Sequence, residues 1–250
     1  MNRTVFLLTA CTLLGLAASC FAQENLIRNG SFEELSRCPD GNYNFPAKNW
    51  FVLQGTPDLF ASCAPRNSVL AVPTNFNGTR STLAGYNYAG IFLVFVAKSC
   101  KEKNCYLASE SISTHLTKAL KAGKRYKISL MLSLADSAVF RTDSLFCSLS
   151  TEAPVAAKMI KQDETRHRFK RSDTYGCSIQ FACGGCWNKV EVEFTAKDAY
   201  TYLAIGLPRT HYSRATYRQD VARPLRPLPA SKWAQSVAYY YLDDVQLTEE

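Results

Sequence analysis

The sequence predicts an all-β chain, an antiparallel β-sandwich with long disulfide-stapled loops, and three observations predict it. Short apolar segments recur along the chain, two of them with clean period-two alternation. Turn chemistry (Asn-Gly, Ala-Gly-Lys and Pro-rich stretches) separates them. No segment sustains a helical period, and about eight short strands in such an order argue for a sandwich.

The segments run as follows. Asn25-Leu26-Ile27-Arg28 reads as a brief strand, closed by the turn signal Asn29-Gly30, and Ser31-Phe32-Glu33-Glu34 continues beyond it. Residues 37–85 are rich in Pro, Gly, Asn and Ser and read as long ordered loops with little regular structure. Ile91 to Val96 is a continuous apolar run between Gly90 and Lys98, the mark of a strand buried on both faces. Residues 106–120 tolerate a helix best, although Leu116 and Leu120 suit a strand edge equally. After the turn at Ala122-Gly123-Lys124, Tyr126, Ile128, Leu130, Leu132 and Leu134 alternate with polar or smaller residues, so they line one face of a strand. Ser144 to Ser150, Val190 to Phe194, Tyr200 to Leu207 and Val237 to Leu247 supply the remaining strands. No internal repeat is present.

Two insertions interrupt this pattern. Residues 151–186 carry the basic run Arg166-His167-Arg168-Phe169-Lys170-Arg171 and a cysteine cluster. Residues 208–236 carry Arg209, Arg214, Arg218, Arg223 and Arg226 with Pro224, Pro227 and Pro229, and the aromatics Tyr212, Tyr217 and Trp233. Both are too polar for a core, and long loops on a rigid sheet are where recognition surfaces sit.

The N-terminus indicates the compartment. Arg3 precedes an apolar run from Val5 to Ala18, and Ser19-Cys20-Phe21-Ala22 offers a small residue for cleavage, so residues 1–22 read as a signal peptide and residues 23–250 as one domain. The run is too short to span a bilayer, and no later stretch is long and apolar enough. A lipoprotein reading, with Cys20 acylated, stands beside it, although Ala17 occupies the place where such signals carry Leu. Either way the chain is exported, to the outer cell surface or the medium.

The net charge of +8 loses only Arg3 on processing. A basic balance suits anionic polysaccharide or an anionic surface, but here the charge is spread, and solubility explains most of it. No nucleic-acid partner is expected. Of ten cysteines, eight survive processing: Cys38, Cys63, Cys100, Cys105, Cys147, Cys177, Cys183 and Cys186. An even number in an exported chain reads as up to four disulfides, whose connectivity the sequence leaves open among 105 pairings. A metal knuckle of Cys177, Cys183 and Cys186 with His167 is the competing reading; the five-residue gap is unusual for zinc.

The two ends of the mature chain, Leu26-Ile27-Arg28-Asn29-Gly30-Ser31-Phe32-Glu33 and Tyr241-Leu242-Asp243-Asp244-Val245-Gln246-Leu247, resemble the galactose-binding-like jelly roll of carbohydrate-binding modules. More narrowly, the chain resembles domains of exported Bacteroidetes surface proteins. The matching pieces are Cys38-Pro39-Asp40-Gly41, Trp50, Thr56-Pro57-Asp58-Leu59-Phe60 with Cys63, Val72-Pro73-Thr74-Asn75, Gly85-Tyr86-Asn87-Tyr88-Ala89-Gly90 and Leu120-Lys121-Ala122-Gly123-Lys124-Arg125-Tyr126. The resemblance covers nearly all of residues 25–247. It implies that the first and last strands lie together, that Cys38 pairs with Cys63, and that Glu33 and Asp243 hold a structural calcium with help from backbone carbonyls. Carboxylates drawn from two chain ends suit Ca²⁺, which takes six to eight hard oxygens. Asp243 and Asp244 point to opposite faces of a strand, so only one reaches inward. The six further cysteines and the basic insertions depart from the family pattern.

Sugar binding needs exposed aromatics beside planar polar groups. The candidates are Trp50, Tyr86, Tyr88, Trp187, Tyr212, Tyr217 and Trp233. Tyr86 and Tyr88, within a Gly-flanked motif, suit the fold; Trp187, Tyr217 and Trp233, with Arg214 and Arg218, suit ligand contact. Catalysis finds little support: His115, His167 and His211 stand in unrelated contexts, and no nucleophile elbow, zinc-protease or phosphate-loop motif is present. The expectation is a non-catalytic module that binds glycan or anionic polysaccharide; the competing class is a structural or adhesive component that binds a surface protein.

Overall fold

Period-two alternation puts every second side chain on one face, and in the computed structural model two antiparallel sheets pack those faces together. The structure describes residues 23–41, 45–96, 107–138, 140–154, 172–180, 185–206, 223–224 and 237–250. The strands are β1 (Trp50–Gln54), β2 (Asp58–Ala61), β3 (Thr74–Asn75), β4 (Gly78–Thr79), β5 (Asn87–Val96), β6 (Leu107–Ala108), β7 (Ser111–His115) and β8 (Arg125–Leu134). They continue with β9 (Phe140–Arg141), β10 (Ser144–Ser150), β11 (Ser172–Ser178), β12 (Asn188–Thr195), β13 (Tyr202–Gly206), β14 (Arg223–Pro224) and β15 (Val237–Glu249). One sheet has the order β1-β7-β13-β10-β11; the other has β12-β8-β15-β5-β2, with β6 paired to the far end of β5. Among the described residues there is no helix, and none therefore long and apolar enough to cross a membrane.

The alternation of β8 is borne out. Tyr126, Ile128, Leu130 and Leu132 enter the core between the sheets, joined by Ile91, Leu93, Val190, Phe194, Tyr240 and Leu242 from the same sheet. Ile112, Leu145, Cys147, Leu149, Leu203 and Ile205 face them from the other. Each such side chain contributes about 1.5–3 kcal/mol on leaving water.

Four expectations change. Residues 37–85 hold four strands, because β-branched and aromatic residues in 50–61 find partners on β7 and β5. The helix-tolerant stretch after residue 106 is strand: β6 pairs with the end of β5, and β7 is pinned between β1 and β13. The brief N-terminal strand reduces to a single bridge, Ile27 to Leu116. The first insertion is not all loop either: Ser172–Ser178 pairs in full register with β10 as an edge strand. In the second, β14 pairs with β9.

The chain ends meet as the resemblance implied. The Leu26 amide donates to the Leu247 carbonyl at 2.8 Å and the Val245 amide to the Gly30 carbonyl at 2.9 Å. Gly30 permits this approach, since a Cβ there would sit 2.0 Å from the Val245 oxygen. Cys38 and Cys63 are joined by a disulfide.

Candidate functional site

The outer face of the six-stranded sheet is where an open sandwich would offer a ligand surface. On β15, Tyr239 and Tyr241 point outward while Tyr240 and Leu242 point in. With Phe60, Leu70, Tyr88, Ala135 and Val237 they form a second apolar cluster, and residues 62–86 lie across it as a strap. The strap is fastened at the rings' polar ends. The Tyr88 hydroxyl donates to the Arg80 carbonyl at 3.0 Å and accepts from Asn75 Nδ2, and the Tyr241 hydroxyl donates to Asn75 Oδ1 at 2.9 Å. Arg80 reaches Asp136 at 2.9 Å, and the Ser137 amide donates to the Asn77 carbonyl.

Trp187 belongs to this arrangement. Its ring stands edge-on to Tyr88 at 5.8 Å, half-buried, and its indole N–H donates to the Ser81 carbonyl at 3.0 Å. Trp50 is 6% exposed, packs on Phe32 and donates to the Asn29 carbonyl, so its ring is unavailable for a sugar. Tyr88 is fold-defining as expected. Tyr86 is not: its side chain is 69% exposed. The backbone beneath it is nonetheless pinned, the Tyr86 amide donating to Glu33 Oε1 at 3.0 Å and its carbonyl accepting from Ser62. Gly85 makes the pinning feasible, with φ of +73° and a would-be Cβ 2.4 Å from Glu33 Oε1. Val69, Phe76 and Leu83 are the other large apolar side chains exposed on the strap.

Glu33 and Asp243 come together beside Tyr86, while Glu34 stays exposed. Glu33 accepts from the Tyr86 and Asn87 amides and from Asn87 Nδ2. Asp243 is 1% exposed; its Oδ1 takes the Asp244 amide, and its Oδ2 is buried without a hydrogen-bond partner. The Leu83 amide lies close to this carboxyl without completing a bond to Oδ2. Burial above all pushes Asp243 up to about 7; the Asp244 amide pulls it back, and the facing Glu33 charge adds to the rise. A β-bulge between Asp243 and Gln246, with Asp244 at φ 48°, turns Asp244 aside, where its Oδ1 accepts from Gln246 Nε2 at 2.8 Å. An orphaned carboxylate oxygen facing a second carboxylate fits a divalent cation. Two acidic side chains are fewer than such an ion takes, and no group of three or more metal-ligating side chains occurs among the described residues. Backbone carbonyls would have to complete the shell.

A second carboxylate pair, unmarked in the sequence, lies at the sheet edge. Glu110 accepts from the Thr56 and Phe92 amides and the Thr56 hydroxyl, filling the gap along β5 between β2 and β6. Burial and then the Asp58 charge push it up to about 8. Asp58 accepts from the Tyr239 hydroxyl at 2.6 Å, and burial raises it to about 6. At 1% exposed, Glu110 holds chain together and offers nothing to a substrate from solvent.

Cys147 and Cys177 are buried thiols with sulfurs 3.8 Å apart, not joined to each other in this structure. Cys186 is disulfide-bonded, to a partner outside the described residues. Residues 1–22, read from the sequence as a signal peptide, and Cys100, Cys105, Cys183, His167, His211, Tyr212, Arg214, Tyr217, Arg218, Trp233 and the basic run 166–171 lie outside the described residues.

No protein-family model and no curated protein matches the chain. Similar solved structures exist. The CBM22-1-GH10 modules of xylanase 10B from Clostridium thermocellum, in complex with xylohexaose, align at TM-score 0.43 and 13% identity over 91% of this chain, which spans 29% of that one. The CBM22-1 xylan-binding domain of Xyn10C from Paenibacillus barcinonensis aligns at 0.41 and 11% over 91% of this chain and 96% of that one. The K1 cleaved adhesin domain of Lys-gingipain from Porphyromonas gingivalis W83 aligns at 0.37 and 12% over 88% and 96%. With likeness of this degree, strand pairing and register remain the ground for the fold.

Proposed function

We propose that this chain is an exported, non-catalytic binding module that takes a glycan, with Tyr86 as a stacking platform. The observation that carries the reading is Tyr86 itself: a 69% exposed ring on a backbone held at both its amide and its carbonyl. A ring fixed in this way loses little freedom when a sugar face stacks on it, so more of the contact energy appears as affinity. The Cys38–Cys63 disulfide supports export, since such bonds persist in oxidising compartments. Tyr217, Trp233 and Trp187, with Arg214 and Arg218, remain the proposed contacts for a charged polysaccharide.

A calcium ion on Glu33 and Asp243 belongs to the same reading. Bound there it would supply the positive charge that two adjoining carboxylates need. Glu33 would then hold both the ion and the Tyr86 amide, coupling the platform to the joined chain ends.

A second reading, a protein partner, is favoured by Val69 and Phe76, exposed at 56% and 50% and joined by the Phe76 amide to the Val69 carbonyl. A glycan array probed with oxidised residues 23–250, with calcium and with chelator, separates the two. Saturable binding to one glycan class, lost in Tyr86→Ala at unchanged melting temperature, is the expected result. A blank array on folded protein under both conditions overturns the glycan reading in favour of the protein partner.

A further inference from the structure

We infer that Cys147 and Cys177 form a disulfide that staples the edge strand β11 to β10 inside the sandwich core. Register places Cys147 opposite Tyr175 and Cys177 opposite Leu145, so the two cysteines are diagonal neighbours on one face of the pair. That face is the core face: Cys147 is 0% and Cys177 1% exposed, and both pack among the residues between the sheets. Their sulfurs stand 3.8 Å apart. A disulfide needs about 2.05 Å, so the pair must close by less than about 2 Å. β11 ends its sheet and hydrogen-bonds in it to β10 alone, so it is the strand free to make that shift.

Three further facts select this partner. The chain already carries an oxidised pair at Cys38–Cys63, and Cys186 is bonded too, so the environment that completes the fold removes thiols. Among the described residues, these two are the free cysteines. Each is sealed from solvent on the sandwich's inner side and faces the other.

The chemistry balances with an external disulfide, either that of a thiol–disulfide oxidoreductase or oxidised glutathione. The two S–H bonds and the oxidant's S–S bond break, one new S–S bond forms, and the two electrons and two protons end on the oxidant's sulfurs as two thiols. In the closed sandwich the contact with Cys177 and then burial push the Cys147 thiol well up, which starves the reaction of thiolate. The bond therefore forms before β11 docks, while both thiols are still open to solvent. This inference is independent of the ligand.

The test is a thiol map of the full chain, produced by an export route, alkylated in denaturant without reductant and digested with trypsin and chymotrypsin. Arg171 and Phe181 bracket Cys177 and separate it from Cys183 and Cys186; the lysines and arginines of 158–171 separate it from Cys147. The expected species joins the Cys147 and Cys177 peptides and disappears on reduction. Alkylation of both cysteines while Cys38 and Cys63 stay bonded overturns the proposal, as does either cysteine joined to any other. The double variant Cys147→Ser/Cys177→Ser should still fold, with a melting temperature lower by on the order of 10 °C under oxidising conditions and unchanged under reducing ones. An equal loss under both conditions would mean lost packing in place of a lost bond.

Discussion

The inner face of the six-stranded sheet meets a second sheet, whereas its outer face meets a loop. Both coverings exclude water, yet they are built differently. Inside, the contacts are almost wholly apolar, with Leu130, Leu132, Leu242 and Ile91 against Leu145, Leu203 and Ile205. Outside, rings with polar ends dominate, and the strap is fastened through hydroxyls, Tyr88 to Arg80 and Tyr241 to Asn75, while Tyr239 bonds Asp58 of β2. A sheet can pack on a second sheet by shape alone, because its own backbone groups are already paired. A loop has backbone and polar groups to satisfy, so its seat must offer partners, and tyrosine offers an apolar body with a polar tip.

The comparison breaks most readily in the inner layer. Leu242→Ala should cost roughly 2–5 kcal/mol of global stability in denaturant melts, because neighbouring side chains on two sheets cannot collapse into the space. Phe60→Ala, under the strap, should cost about 3 kcal/mol, the low end for a buried phenylalanine, since a loop settles more easily than a sheet. Amide exchange in residues 70–82 should then quicken before that of β8. Equal exchange throughout would make the strap part of the same cooperative unit as the core.

Titration sharpens the contrast next. Asp58, Asp243 and Glu110 are raised to about 6, 7 and 8 from ordinary values of 3.8, 3.8 and 4.5. Each keeps its proton in the folded chain where the unfolded chain has released it. Their contribution to stability is therefore full below about pH 4 and is lost as pH climbs through 6, 7 and 8 in turn. Melting temperature in chelator should fall from pH 5 to pH 9. Calcium should recover part of that loss at pH 8, and Glu33→Gln should abolish the recovery; a calcium-insensitive melt at pH 8 would sink the proposed ion. Smallest on stability is Tyr86→Ala, within about 0.5 kcal/mol, since the ring packs on little. Its effect is expected in ligand binding alone, and a large drop in melting temperature would contradict an exposed platform.

Several of these features can be read from one-dimensional pattern. The alternation from Tyr126 to Leu132 delivers a core face, and the unbroken run from Ile91 to Leu93 delivers a strand covered on both sides. Tyr239-Tyr240-Tyr241 carries the same message for the last strand, three consecutive large rings that cannot all share one face. Such a triplet signals a covering over the outer face of the sheet. Glu110 gave no such signal. Its importance arises from a gap between two strands that pair with β5, and no spacing along the chain encodes that gap.

The resemblance implied the joined ends; by itself, then, the sequence determined the β class, the alternating faces and the stock of cysteines. These follow from local periodicity and from residue chemistry, which need no knowledge of neighbours. The tertiary structure decided exposure. It buried Trp50 and Tyr88, turned Tyr86 outward, set Asp243 against Glu33, and brought Cys147 within 3.8 Å of Cys177. An aromatic ring gains by burial wherever a partner surface exists, and only the fold of residues 62–86 over the sheet determines which rings have found one.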